Sequence, residues 1–276
     1  QMCIRVSLDF NQVLHPLLSG VKGGVTPTTP GSGTARLWTF APSQTAPSVD
    51  SYTLEFVADD GSTKQQLEAP FGVTTGFEIT GGVDALPQIT WSMDARKSDQ
   101  STYTSGIALP SMTNAFAANL RWLMTLDTTW VNLGNTNING QVYGFTWSQS
   151  SIVMPQYYLQ NRDDLDFAGV EPQTRTADLT VQATLDTGGS NLYETELAAK
   201  ANGTKRFIRM RLAGSNMAAP DAAYAHNVDL KGSFVHADDS MEELGADRDG
   251  NMVVSMHLVS QYDSTSSQDV EYVVQN

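Results

Sequence analysis

An all-β fold of two tandem β-sandwich or half-barrel units, each with a short flanking helix, is what this 276-residue sequence predicts. Three observations carry that reading. Apolar and polar side chains alternate strictly in many short segments, the mark of strands with one dry and one wet face. Helical periodicity is clear only once. The order of elements in the first half also returns in the second, with few identities and an offset that shrinks along the chain, as loop insertions and deletions would leave it.

In chain order, residues 7–10 lead into a helix-like stretch at 11–18, weakened by Pro16 and closed by Gly20. Residues 20–34 are rich in Gly, Pro and Thr and read as a loop. Strands are expected at 36–40, 51–57, 73–80 and 88–95. In the last two, Phe77, Ile79, Ile89, Trp91 and Met93 share one face, with Glu78, Thr90, Ser92 and Asp94 on the other. Two more candidates, 120–126 and 142–147, flank a turn-rich run at 132–140, whose Asn139-Gly140 is a hairpin-type signal. The boundary is placed near Gly134, giving units 1–134 and 135–276. Strand 141–149 would open the second unit, so its counterpart is expected upstream of Gln1 and the first unit is read as incomplete at its N-terminus.

The second unit repeats the plan. Leu179, Val181, Ala183 and Leu185 alternate with Asp178, Thr180, Gln182 and Thr184. A helix at 191–201 follows, with Ser190 as cap, Leu192, Tyr193, Leu197, Ala198 and Ala201 on one face, and Asn202-Gly203 as its end. Strands at 206–212, 227–236 and 252–259 complete it. Each has one wet face, which favours antiparallel sheets.

Composition narrows the function. Thirty acidic against sixteen basic residues leave a net charge of −14. That opposes a surface gripping nucleic acid, which needs clustered Lys and Arg. Cys3 stands alone, so neither an internal disulfide nor a cysteine metal cage is available; it reads as a small buried strand residue. No apolar stretch reaches the roughly 18–20 residues of a membrane-spanning helix, and the start lacks the plan of a signal peptide.

Motifs for chemistry are absent. His15, His226, His236 and His257 have no metal-ligand spacing, and His257 falls on the polar face of its strand. No G-x-S-x-G elbow occurs. The run Gly245–Gly250 hints at a calcium loop, but Gly245 stands at the first ligand position and Met256 at the twelfth, so a tight turn is expected. Adjacent acids such as Asp163/Asp164 and Glu242/Glu243 read as loop residues, not as a glycosidase pair. Four of the five tryptophans (Trp38, Trp91, Trp122 and Trp147) lie in strand-like segments, Trp130 does not, and core packing is favoured over a sugar-stacking platform. No catalytic residue, cofactor or metal is therefore expected, and the chain is read as a non-enzyme.

Residues 33–42 (GTARLWTFAP), 51–56 (SYTLEF) and 71–79 (FGVTTGFEI), preceded by 14–20 (LHPLLSG) and 27–30 (PTTP), resemble the major tail tube proteins of long-tailed bacteriophages. So do 206–211 (RFIRMR), 227–232 (NVDLKG) and 252–258 (MVVSMHL) in the last third, while 100–140 match least. The resemblance implies a tail-tube-type unit whose inner sheets join around a ring into a β-barrel channel. Rings stack into a tube through which DNA is ejected into the host. It implies a virion tail location after assembly in the host cytoplasm, and no membrane. Its partners would be copies of itself, a tape measure protein, tail terminator and baseplate proteins, and double-stranded DNA passing without sticking.

Two units per chain would let three chains, rather than six, close a ring. An acidic chain is expected to line the lumen with carboxylates, which repel phosphate. Asp163, Asp164, Asp166, Asp238, Asp239, Glu242 and Glu243 are the candidates, on lumenal or inter-ring loops. The competing reading is a glycan-binding or glycan-active β-sandwich module of tail-fibre or lectin type.

Overall fold

Alternating side chains become antiparallel strands throughout the computed structural model, which describes residues 2–42, 48–59, 64–83, 85–100, 121–157, 168–184, 192–241, 244–248 and 251–276. The first half supplies β1 (Met2–Ser7), α1 (Leu14–Gly20), β2 (Leu37–Phe40), β3 (Tyr52–Asp59), β4 (Lys64–Gly82), β5 (Ala85–Asp94), β6 (Asp99–Gln100) and β7 (Arg121–Asp127). The second supplies β8 (Val142–Ser150), β9 (Val153–Gln156), β10 (Gly169–Pro172), β11 (Ala177–Thr184), α2 (Leu192–Asn202), β12 (Arg206–Asn216), β13 (Ala225–His236), β14 (Leu244–Arg248), β15 (Asn251–Ser260) and β16 (Val270–Gln275). The chain is all-β in class, as predicted.

Two layers account for most of the strands. One runs β1-β5-β4-β8-β11-β15, with β14 on the far side of β15. The other runs β2-β16-β13-β12-β7. A short pairing of β13 with β15, from Phe234 opposite Ser260 to His236 opposite Leu258, links them. The dry faces meet around Trp147 of β8, which packs edge-on against Phe234 (5.1 Å) and Tyr272 of β16 (5.9 Å). Phe77 of β4 meets the same tyrosine at 5.7 Å. Trp147, Phe234 and Tyr272 are fully buried, each worth about 1.5–3 kcal/mol in surface removed from water.

The polar atoms at the centre of this core, on Trp147, Tyr272 and Gln149, are paired. Trp147 Nε1 donates to the Tyr272 hydroxyl (3.1 Å), which donates to Gln149 Oε1 (2.5 Å). Burial pushes the Tyr272 hydroxyl far above the ordinary tyrosine range, so it stays protonated and keeps donating.

Several expectations change. Cys3 is exposed, because Met2, Ile4 and Val6 take the inward positions of β1. Asn139-Gly140 lies in a 3₁₀ turn, Asn139–Gln141, and makes no hairpin: β7 pairs with β12, and β8 with β4 and β11. Pro16 is accommodated because α1 begins at Leu14, which puts the proline in the first turn, where its missing N–H would have had no helical partner. The inward face of α2 is Leu192, Glu196 and Ala199, while Leu197 is 43% exposed. The expected cap Ser190 lies outside the described residues.

The boundary at Gly134 falls in the connection between β7 and β8. Strands from either side of it pair directly, β4 with β8, β2 with β16 and β7 with β12. In both halves the strand before the helix is antiparallel to a later strand of the same half, β1 to β5 and β11 to β15.

Candidate functional site

Among the described residues, the wet face of the first layer is an organised surface six strands wide. Strand register carries its side chains in lateral rows across six strands. One row runs Arg5–Thr90–Glu78–Ser148–Asp178–Val259. The next runs Ser7–Gln88–Thr80–Thr146–Thr180–His257. Flanking rows add Cys3–Ser92–Gly76–Ser150 on one side and Gly82–Gly144–Gln182–Ser255 on the other. The period of two that buries Ile79, Ile89, Trp147 and Leu179 on the dry face places these residues outward.

Hydroxyls, amides and glycines dominate the surface, and charge is sparse. The two central rows hold one arginine, Arg5, and two carboxylates, Glu78 and Asp178. The Arg5 guanidinium is occupied by Gln88, its Nε donating to Gln88 Oε1 at 2.9 Å. Where Gly82 and Gly144 face each other, missing side chains leave a depression of about 390 Å³, bordered by Arg5, Gln88, Tyr143 and Gln182. Such a face offers phosphate few cations.

Of the seven candidate acids, Asp163, Asp164, Asp166, Glu242 and Glu243 lie outside the described residues. Asp238 and Asp239 are exposed in the turn after β13. That turn brings Asp239 to the edge of the wet face, where its Oδ1 accepts a hydrogen bond from His257 Nδ1 at 2.7 Å. This bond is the main cause that holds the Asp239 carboxyl below its ordinary value. His257 Nε2 also lies 3.9 Å from Asp178, so an imidazole bridges two acids of the surface.

A second polar constellation escaped sequence reasoning. Glu196, fully buried on α2, receives Arg206 Nε (3.1 Å), Arg206 Nη2 (2.9 Å) and His236 Nε2 (3.0 Å). His236 Nδ1 faces Ser240 Oγ at 2.8 Å, and that oxygen accepts the His257 amide at 3.0 Å. With Nε2 donating to Glu196, Nδ1 accepts the Ser240 hydroxyl proton. The order hydroxyl–imidazole–carboxylate is that of a hydrolytic triad. Ser240 is fully buried, however, and Glu196 is neutralised by Arg206. The chain therefore braces α2 against β12 and β13. Only the glutamate's place on an inward helical position, between Leu192 and Ala199, could have betrayed it in the sequence.

Burial lowers His15 and His226 below the ordinary histidine value. Among the described residues no group of three or more His, Cys, Asp or Glu is placed to hold a metal ion, and no helix is long and apolar enough to cross a membrane. Compared with known proteins, the chain matches no protein-family model and no curated sequence.

Proposed function

We propose that this chain is the repeating subunit of a bacteriophage tail tube, a structural virion protein whose rings stack into the channel for DNA ejection. The observation that carries the reading is a sheet face six strands wide, coated with hydroxyls and amides, on a layer whose outer strands are unpartnered. Among the described residues β1 pairs only with β5 and β14 only with β15. Open edges are a liability in an isolated protein and become the assembly surface in a closed ring.

The junction of β4 with β8, Gly76 opposite Ser150 through Gly82 opposite Gly144, joins strands of the two halves inside one chain. In this reading the same kind of antiparallel seam joins neighbouring copies. A junction made within the chain raises the effective concentration of one half for the other, which favours three chains per ring over six. The wet face then lines the lumen, and double-stranded DNA moves past with little to hold it. The tape measure protein and the terminator and baseplate proteins are the expected further partners, in a virion tail assembled in the host cytoplasm.

Electron microscopy of the purified full-length chain over a range of concentrations tests this. Rings or tubes with three-fold symmetry and a central channel are expected. Six chains per ring would remove the two-unit argument and keep the tube. Isolated particles at every concentration would overturn the reading.

A further inference from the structure

We propose that the cleft around Trp130 is a binding site for a neutral saccharide. The cleft has a volume of about 440 Å³, within the roughly 300–1,000 Å³ of small-molecule sites. It opens at the end of the strands where β15 finishes and β12 begins. The glycine depression of the wet face lies at the other end, since β4 and β15 run in opposite directions through β8 and β11.

Two loops form the walls, and each is held by a buried carboxylate. Asp127 accepts the amides of Gly134 (3.0 Å) and Thr136 (3.1 Å), which fixes the segment carrying Trp130. Asp263 accepts the amide and hydroxyl of Ser266 (2.8 and 2.9 Å), which fixes the opposite wall. Phe207 braces the half-buried indole edge-to-face at 6.3 Å. These contacts hold both walls in place without a ligand, and such preorganisation lowers the entropy cost of binding.

Its chemistry matches a pyranose. A sugar ring presents an apolar C–H face to an aromatic and a rim of hydroxyls that both donate and accept. Trp130 supplies the aromatic. Thr128, Thr129, Thr204 and Thr265 supply the rim: all four are exposed, and among the described residues their hydroxyls have no protein partner. Lys205 Nζ is committed to the Tyr262 carbonyl (2.9 Å) and lies 3.5 Å from Asp263. Its charge is compensated, so a neutral sugar is favoured over an acidic one. Trp130 is also the tryptophan that sequence reading placed outside the strands.

Saturation-transfer NMR on the unassembled full chain tests it, with the methyl glycosides of glucose, galactose and N-acetylglucosamine as separate probes. Transfer to the ring C–H protons of at least one probe is expected. Affinity should fall about tenfold in Trp130→Ala, the scale of one aromatic stacking contact, and less in Trp130→Phe. Should Trp130→Ala not fold, the exposed pair Thr204→Val/Thr265→Val is expected to weaken the same signal with the melting temperature unchanged. No transfer to any probe, or equal transfer in wild type and variants, overturns the proposal.

Discussion

Tyr272 sits where three strands of the two layers meet, and its hydroxyl is used twice, as acceptor from Trp147 and as donor to Gln149. Tyr272→Phe keeps the ring and strands both partners in a dry core, so a loss of about 1–3 kcal/mol is expected. Denaturant unfolding reads it; an unchanged midpoint would show that Trp147 and Gln149 find other partners. The buried Glu196 is a harder constraint. Removing it would leave Arg206, 7% exposed, without its counter-charge, and breaking a buried pair this way costs about 3–5 kcal/mol. At the surface, Asp239 provides a pH signature. Its folded value lies below the ordinary 3.8, so its contribution to stability is present above that value and is lost as pH falls through the folded value. His257→Ala should move the carboxyl back upward in an NMR titration; an unmoved carboxyl would mean that the hydrogen bond does not form in solution. None of these partnerships was visible in the sequence, because Trp147 and Tyr272, or Glu196 and His236, are far apart along the chain and share no motif.

Strands were the most legible elements, since alternation is a local property. The run 73–80 proved to be the last part of a much longer strand, β4, which turns at Phe71 (φ 55). Before the turn, β4 pairs with β3 as a hairpin on which Phe56 and Leu67 are directly opposed, 40% and 45% exposed. Phe56 and Leu67 thus put two apolar side chains into solvent at one rung, and if the chain assembles as proposed, this hairpin is where an arm bridging stacked rings would be expected. Phe56→Ser/Leu67→Ser is expected to change the stability of the subunit by no more than about 0.5 kcal/mol and to shift the population from tubes to single rings, read by denaturant unfolding, sedimentation and electron microscopy. Full-length tubes from the double variant would assign the bridge elsewhere. The Asn-Gly signal at 139–140 misled because turn chemistry reports only the local bend. The choice of β12 as partner for β7 depends on a strand roughly eighty residues away in sequence.

At the scale of the whole molecule, the property of the wet face that matters to a polyanion is its scarcity of cations, with Arg5 the one arginine of its two central rows. A wall with few cations lets a polyanion pass, and adding cations should make it sticky. Glu78→Lys/Asp178→Lys reverses both carboxylates of the central row. It is expected to make assembled protein retain double-stranded DNA in a mobility-shift assay at low salt, with retention falling as salt rises, the signature of counterion release. Equal behaviour of wild type and variant would show that this face does not meet DNA. The sequence by itself determined the all-β class, the wet and dry faces of most strands and the acidic balance, because side-chain periodicity and charge count are set residue by residue. Only the tertiary structure decided that strands from both sides of Gly134 interleave, that Cys3 faces outward, that Glu196 faces inward, and that the hydroxyl and amide rows align across six strands. Those outcomes depend on which edges pair and in what register, and hydrogen bonding between distant segments is not encoded in any local window of the chain.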